Sequence, residues 1–387
     1  MAHYARQAGD ARTPIDHSRQ LFKEQLKLFS LKGMSGKQGS GAPIIMDTTL
    51  KHSAGETRRH EFIPHAYAKP LRGQNVGILG NESAIESFYM DVTVNEVNFP
   101  FRKEGLMTDQ RTIFNTRKEM SSQIRDHFAQ YTEDQPFKVW SGVGFEDDDQ
   151  DAWESATDTN DRVAGAKRII RSTGAAGYEV ITPTSSTTYS GNFDLLAGNG
   201  CTAGALAQTD ILSCELIERA AIMARTADAR NNDSSDTITN TYKMRPVKIK
   251  QGDQNLNQEF FYLFVSLEAA ADLRFSATWV DHAESLADRG LKQTPQTLGA
   301  VGIWNNVMII PTERVLRFND GSGNWFSRNL LVGADSLFCG WAQTTNYTEE
   351  LIDHDKGLSV NGCEIRGEKK VNFNGVDMGV AQVITAG

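Results

Sequence analysis

The chain has 387 residues, of which 39% are hydrophobic and 23% charged, and its formal net charge at pH 7 is −9. This composition excludes an intrinsically disordered chain, and the acidic balance argues against a protein that grips nucleic acid through a basic surface. A polar N-terminus and the lack of a long apolar run predict an intracellular product without a signal peptide or membrane anchor. The length favours two or more lobes over a single core.

Residues 1–50 are predicted to form an N-terminal arm. The first 37 residues carry seven Lys or Arg against three Asp or Glu, whereas the remainder is net acidic. Leu26 and Phe29 share an apolar stripe with Leu21 or Phe22, which predicts a short amphipathic helix before a flexible linker at 33–41. So short a helix needs a partner surface, most simply another subunit. A frayed tail is the alternative.

Residues 53–105 are predicted to form a long two-stranded excursion. Glycine and proline residues, which interrupt regular secondary structure, are frequent in the stretch 66–83, so the strands are expected on either side of it. From Phe88 to Val94 apolar residues alternate with polar ones, and after Asn95 the phase shifts by one residue. The slip predicts a bulge or a strand that passes between two environments. Pro100 predicts an edge position, because proline cannot donate a ladder hydrogen bond.

A long helix is predicted from Thr108, its N-cap, to about Tyr131, with Pro136 as the stop signal. One apolar stripe carries the prediction; its residues are Ile113, Met120, Ile124, Phe128 and Tyr131. The opposite face is polar and charged. This periodicity is typical of a helix that packs one side against a core.

The second half of the sequence predicts a mixed lobe and a strand-rich tail. Residues 141–207 are rich in loops, and a helix is expected to start near Thr209 or Asp210. A buried strand at 260–265 leads into a helix with Ala269 and Leu273 inward, and Pro311 ends a strand at 304–310. Beyond Leu330, glycines are expected to separate short strand pieces: Gly333, Gly340, Gly357, Gly362 and Gly367. Asn374-Gly375 predicts a tight turn.

His60 and Glu61 come near a zinc-protease motif. The next histidine, His65, stands five residues after the first, whereas two ligands on one helix face need a spacing of four. Pro64 would also break such a helix. We therefore do not predict a zinc site here.

Asp147, Asp149 and Asp151 have the spacing of a calcium loop. Its sixth position must turn sharply and requires glycine, but this sequence has Ala152 there. A solvated acidic loop is the better interpretation of the segment.

Other motifs are weaker still. Gly198, Gly200 and Gly204 lack the spacing of a dinucleotide or phosphate loop. The four cysteines have no metal-type spacing and are expected to be free thiols; they are Cys201, Cys214, Cys339 and Cys363. The sequence thus predicts no catalytic, cofactor-binding or metal-binding residue and no cofactor.

Several segments together resemble one known family. They are, in chain order, Gly55 to Phe62 with Gly80 to Ser83, Gly105 to Arg111, Phe260 to Leu273, Glu349 to Leu351, and Lys369 to Val380. In this order they resemble the major capsid proteins of tailed double-stranded DNA phages, and within them the coliphage N-four-like family. The resemblance covers about residues 50–387.

The resemblance implies an α+β fold of the Hong Kong 97 type. Its implied divisions are an N-terminal arm at 1–50, an extended loop across a neighbouring subunit at 51–105, and a peripheral-domain spine helix at 106–140. An axial domain would follow at 141–330, with an insertion near 141–207. Residues 331–387 would return to the peripheral domain as strands.

The implied function is that of a major capsid protein rather than an enzyme. It would self-assemble as hexamers and pentamers into an icosahedral head that encloses double-stranded DNA, assembling in the host cytoplasm and residing in the virion. Its partners would be further copies of itself, with portal, scaffolding and decoration proteins, the packaged DNA by proximity only, and no membrane. The alternatives are another self-assembling virion protein that forms tubes or rings, and an enzyme that binds a divalent metal in the acidic loop.

Overall fold

The computed structural model describes residues 30–49, 55, 57–62, 88–103, 116–141, 169–172, 178–181, 209–225, 243–249, 258–280, 301–319, 325–352, 357–373 and 376–386. Across these residues the chain forms a five-stranded sheet, a nine-stranded sheet, two two-stranded ribbons and three α-helices. This mixture confirms the predicted α+β class.

The five-stranded sheet is built on a long antiparallel hairpin. Its strands, in spatial order, are β1 (Ser35–Gly36), β2 (Ile44–Asp47), β14 (Leu337–Ile352), β15 (Gly357–Lys370) and β5 (Asn95–Lys103). Helix α1 (Thr116–Trp140) packs across one face of β15 and β5. Strands from three distant parts of the chain thus complete one sheet.

The nine-stranded sheet combines central and C-terminal segments. The path runs β10 (Gly302–Trp304), β11 (Val307–Pro311), β9 (Gln258–Val265), β13 (Trp325–Val332), β18 (Val380–Ala386), β6 (Ile169–Ser172) and β7 (Tyr178–Ile181). Two strands lie off this path, β12 (Arg317–Asn319) beside β13 and β8 (Val247–Ile249) beside β9. Two helices pack on the sheet, α2 (Cys214–Arg225) and α3 (Leu267–Phe275). The ribbons pair β3 (Thr57–Phe62) with β4 (Phe88–Thr93), and β16 (Asn372–Phe373) with β17 (Val376–Asp377).

The central strand β9 is buried on both faces, which confirms the buried strand expected from its apolar run. Phe261, Leu263 and Val265 enter a core shared with α2 and α3. Tyr262 and Phe264 enter a second core on the opposite face, together with the C-terminal end of α1. A strand with a core on each side has no need of polar alternation, and it pairs in parallel with β11.

The phase slip after Asn95 marks a change of sheet. Strand β4 pairs with β3 in the ribbon, Val94 separates the two strands, and β5 pairs with β15 in the five-stranded sheet. The predicted passage between two environments is confirmed. Strand β5 stands at the end of its sheet, so the edge position expected from Pro100 is confirmed as well.

Helix α1 confirms the predicted apolar stripe but not its end. Met120, Ile124 and Phe128 are buried, whereas residues 104–115, with the predicted N-cap, lie outside the described part of the chain. The expectation that Pro136 stops the helix is wrong, because α1 continues to Trp140. An interior proline costs about 3 kcal/mol; burial of the following aromatic turn offsets it, since the ring of Trp140 is fully buried against Phe264.

The strand expected at 304–310 is a hairpin. Asn305 and Asn306 have φ values of 43° and 63°, and they reverse the chain between β10 and β11. Two consecutive left-handed residues form the turn that matches the twist of a hairpin, and asparagine tolerates this conformation better than most residues. The single-strand prediction read these two asparagines as part of an extended run and was wrong.

Of the five tail glycines expected to separate strands, Gly333 does lie between β13 and β14 and Gly357 begins β15, whereas the other three lie inside strands. Gly340 lies within β14, and Gly362 and Gly367 lie within β15. A side chain at Gly362 would meet Ile124 and Phe128 of α1, so this glycine permits close approach of the helix. The hairpin expected at Asn374-Gly375 is confirmed by the pairing of β16 with β17, although the two turn residues lie outside the described ones.

The two predicted central helices are present. Helix α2 begins at Cys214 rather than near residue 209. Asp210 and Leu212 are buried in the non-helical segment before it, and the Asp210 carbonyl accepts a hydrogen bond from Ala386 N. Helix α3 begins after Ser266, whose hydroxyl accepts from Ala269 N as an N-cap. The inward positions of Ala269 and Leu273 are confirmed.

The division of the chain into arm, loop, peripheral and axial parts stays a prediction. Residues 1–29, which include the predicted arm helix, lie outside the described part. The expected linker holds β1, and Leu31 and Ile44 on either side of it are buried in the core beside α1. The last strand, β18, pairs with β13 and β6 in the nine-stranded sheet.

Candidate assembly surfaces and a buried charge cluster

The ribbon of β3 and β4 has a buried inner face. Met90 and Val92 are 6% and 1% exposed, and they pack against Ile45, Phe338 and Val371 of the same chain. A two-stranded ribbon in water needs a partner surface, and for the apolar side chains of Met90 and Val92 the sequence predicts that a neighbouring subunit supplies it. That prediction is wrong, because the surface belongs to their own chain. The side chain of Phe88 lies outside the described part.

Met90→Ser is expected to lower the free energy of unfolding of the isolated subunit by about 2–4 kcal/mol, because a large buried side chain is lost. Tyr89→Ser is the matched control: Tyr89 is the preceding residue, is 64% exposed, and its replacement should change stability by roughly 0.5 kcal/mol or less. Denaturant unfolding of both variants measures the difference. Equal denaturant midpoints for the two variants would mean that the inner and outer faces of the ribbon are wrongly assigned.

The outer face of the ribbon carries a charged and aromatic cluster. The Arg59 guanidinium donates to both carboxylate oxygens of Asp91 at 2.8 Å and lies 4.0 Å above the Tyr89 ring. The hydrogen bond from Arg59 lowers the pKa of Asp91. All three side chains are substantially exposed, so the ion pair adds little to subunit stability. An exposed arginine beside tyrosine is a combination enriched at protein interfaces.

The base of the ribbon buries a histidine. His60 is 4% exposed, its Nε2 lies 3.5 Å from Asp47 Oδ2, and its ring contacts Phe338. Burial lowers the pKa of His60 to about 4, so the imidazole is neutral at pH 7. Glu61, the next strand residue, is exposed on the other face, so His60 and Glu61 point to opposite sides of the ribbon. His65 lies outside the described residues.

The far end of the β14–β15 hairpin carries an ion pair to α1. Arg117 at the start of α1 donates from Nε to Glu349 Oε1 at 2.7 Å, and the Tyr347 hydroxyl donates to the same oxygen at 2.8 Å. Burial of the Tyr347 hydroxyl and its bond to Glu349 raise the pKa of that phenol. Next to them Glu350 and Leu351 are exposed. This end therefore exposes a carboxylate and an apolar side chain.

A cluster of charged side chains is buried between α1 and the five-stranded sheet. Glu364, Arg366 and Glu368 alternate along β15, so all three point to the face that α1 covers. Each of the three is at most 5% exposed. Arg366 also stacks on the aromatic rings of Tyr131 and Trp341, at 4.4 and 5.5 Å. We call this set the β15 cluster.

Two hydroxyls connect the β15 cluster to its surroundings. Arg366 Nη1 donates to Thr132 Oγ1 at 2.6 Å, and the Thr132 hydroxyl donates to the Phe128 carbonyl within α1. On the sheet side, the Thr345 hydroxyl donates to Glu364 Oε1 at 2.5 Å. Burial acts to lower the pKa of Arg366, but the neighbouring carboxylates outweigh it and the net shift is upward. Arg366 therefore keeps its charge.

The sequence reasoning missed the β15 cluster. The alternation of charged residues at 364, 366, 368 and 370 predicts a solvent-exposed strand face, so no local signal in the sequence indicated their burial. Lys370 continues the row, and its Nζ lies 3.1 Å from Asp377 Oδ2 in a buried ion pair.

The remaining sequence motifs bring together no site. Within the described part of the chain, His, Cys, Asp and Glu form no group of three that could hold a metal ion. Cys214, Cys339 and Cys363 are free thiols, while the acidic loop, the glycine loop and Cys201 lie outside that part. No described helix combines the length and apolar character needed to cross a bilayer.

Comparisons with known proteins agree with this architecture. Three solved structures are similar along nearly the whole chain. The capsid of Ralstonia phage GP4 has a TM-score of 0.64 at 22% identity, over 91% of this chain and 89% of that one. The Cyanophage Pam1 capsid has a TM-score of 0.64 at 14% identity, over 100% of this chain and 99% of that one. The head of Helicobacter pylori bacteriophage KHP40 has a TM-score of 0.58 at 11% identity, over 91% of this chain and 90% of that one. These similarities show the Hong Kong 97-type capsid fold.

No curated protein matches the chain. The sequence model of the family described as phage capsid protein matches residues 8–387. That match spans the predicted arm, both sheets and all three described helices, so it concerns the whole subunit rather than one part of it. The chain therefore belongs to the phage capsid protein family, a family of structural proteins of the virion.

Proposed function

We propose that this chain is the major capsid protein of a tailed phage, and that it assembles as hexamers and pentamers into the icosahedral head around double-stranded DNA. The observation that carries the proposal is the extent of the family match, which leaves only the first seven residues outside. A full-length match to capsid proteins leaves little chain for a separate activity. The alternative of a tube- or ring-forming virion protein is tested by the shape of the assembly.

Charge supports a role beside packed DNA. The formal net charge is −9, so the subunit as a whole is repelled by the phosphate backbone and contacts the genome by proximity only. The first 37 residues are net positive, with seven Lys or Arg against three Asp or Glu, which suits contact with the acidic body of a neighbouring copy. We further propose portal, scaffolding and decoration proteins as partners, and the host cytoplasm as the place of assembly.

Within the family, we propose that the chain belongs with the coliphage N-four-like coat proteins. The support is the order of the sequence segments from Gly55 to Val380 that resemble that group. A phylogeny of phage capsid proteins is the test; placement of this chain on a branch outside that group would contradict the proposal.

The ribbon supplies a candidate contact between subunits. Its inner face is occupied within the subunit, so the outer cluster of Arg59, Tyr89 and Asp91 is the face left for a neighbouring copy. A shell repeats each contact many times, so a weak contact suffices at each position. A surface ion pair adds little to the affinity between two subunits there, and it contributes mainly by fixing their register.

The test is assembly of the purified full-length protein, with and without a scaffolding protein. Light scattering after size exclusion should show capsomers or larger particles, and negative-stain microscopy should show closed shells. Tubes or open rings would favour the alternative virion role, and a monomer under all conditions would contradict the proposal. Tyr89→Ser should raise the concentration needed for assembly, with Gln123→Ser, an exposed change on α1, as the control.

A further inference from the structure

We propose that the β15 cluster is a proton-binding site, at which the folded subunit holds a proton on Glu368 that the unfolded chain releases. The cluster joins α1 to the sheet, so uptake of the proton strengthens this contact in mild acid. The inference concerns the fold of the subunit and stands independently of the assembly function.

The first argument is charge balance in a buried space. Two carboxylates and one guanidinium share the interface, which leaves one negative charge in excess when all are ionised. The carboxylates lie 3.7 and 3.9 Å from the guanidinium nitrogens, beyond direct hydrogen-bond distance. A buried, uncompensated carboxylate is costly, and binding of a proton removes the cost.

The second argument is the difference between the two carboxylates. Glu364 accepts a hydrogen bond of 2.5 Å from the Thr345 hydroxyl, which stabilises its ionised form. Glu368 accepts from the Cys339 thiol at 3.6 Å, and a thiol is a weak donor. The proton therefore resides on Glu368. Burial of Glu368 raises the pKa of its carboxyl, in spite of the opposing charge of Arg366.

The titratable and charged groups that face the β15 cluster come from the elements that pack on it. Helix α1 contributes Tyr131, β14 contributes Cys339, and β15 contributes the other charged groups, with Lys370 held by Asp377 at the end of the row. The positions of β5 that pair with Arg366 and Glu364 are Asn95 and Val97, which do not titrate. Burial of Cys339 raises its pKa well above the ordinary value, so the thiol stays neutral.

The sign of the pH effect follows from the raised pKa of Glu368. Between the ordinary glutamate pKa of 4.5 and the raised folded value, the folded state binds more protons than the unfolded state. The free energy of unfolding therefore rises as pH falls through the folded pKa and levels off below the unfolded value. Above the folded pKa, Glu368 is ionised in the folded state, and the full cost of burying its charge lowers the free energy of unfolding.

The experiment compares Glu368→Gln with the unmodified full-length protein, because glutamine has the shape of a protonated carboxyl and does not titrate. The variant should have the higher denaturant midpoint above the folded pKa of Glu368, and the gap should close as pH falls toward the ordinary glutamate pKa of 4.5. Glu350→Gln, an exposed change in the neighbouring strand, is the control and should show a gap independent of pH. A Glu368→Gln gap that is also independent of pH overturns the proposal.

Infrared spectroscopy gives a second, direct measurement on the unmodified protein. As pH rises, the carbonyl stretch of the protonated, buried carboxyl should persist after the exposed carboxyls with ordinary pKa values have ionised, and it should be missing from the Glu368→Gln spectrum. A carbonyl band that disappears together with those of the exposed carboxyls overturns the proposal. A protonated band that persists in Glu368→Gln and vanishes in Glu364→Gln overturns the assignment to Glu368.

Discussion

Ile124→Asp is expected to prevent the subunit from folding, whereas Gln123→Asp one position earlier on the same helix is expected to be tolerated. Ile124 is 0% exposed and packs with Met120, Phe128 and Val360, while Gln123 faces solvent. An uncompensated buried charge costs about 3–5 kcal/mol, a large part of the stability of an ordinary domain.

Soluble yield and cooperative thermal unfolding measure the effect of the two aspartates. Both variants add the same charge to α1, so helix propensity and net charge are matched between them. The expected result is an insoluble or non-cooperative Ile124→Asp protein beside a nearly unchanged Gln123→Asp protein. Equal melting temperatures would show that the buried stripe of α1 has been assigned to the wrong face.

Gly367→Ala is expected to have a comparably large effect from the addition of one methyl group. A Cβ at Gly367 would lie 2.0 Å from the Thr93 carbonyl oxygen and 2.9 Å from its carbon, and both are backbone atoms. Such a contact moves either β15 or the junction between β4 and β5, and overpacking of a well-packed site costs roughly 3 kcal/mol or more when backbone must shift.

Gly33→Ala is the control for this prediction, because a Cβ at Gly33 meets no atom within 4 Å. Denaturant midpoints of the two variants should differ clearly, with Gly33→Ala close to the unmodified protein. The measurement also reports on the change of sheet at Val94, since the clash falls on that junction. An unperturbed Gly367→Ala protein would mean that β4 does not approach β15 as closely as described.

The ribbon and the β15 cluster indicate how one subunit divides its roles. The inner faces of β4 and β15 give stability within the chain, through Met90, Val92 and the packing of α1. The outer face of the ribbon and the far end of the hairpin are exposed, with Tyr89 and Leu351 more than half accessible. Exposed surfaces of this kind suit assembly by many weak contacts.

Local periodicity determined much of the fold. The stripe of α1, the doubly buried β9 and the one-residue slip after Asn95 could be recognised because each is set by which neighbouring residues in the sequence share a face. The slip even located the change of sheet, since a shift of one residue exchanges the two faces of a strand. The capsid family came from a different source, the resemblance of sequence segments from Gly55 to Val380 to that family, and the family match then showed it.

Contacts between distant segments decided the rest. Pro136 stands inside α1 because the turn beyond it packs into a core supplied by residues more than a hundred positions away. Gly362 and Gly367 sit in a strand because α1 and the β4–β5 junction approach them, which no local pattern reveals. Glu364, Arg366 and Glu368 look like a solvated row until α1 covers them. Sequence spacing determines which face a side chain takes, but only the tertiary structure determines what lies against that face, and hence whether a glycine, a proline or a charge is tolerated there.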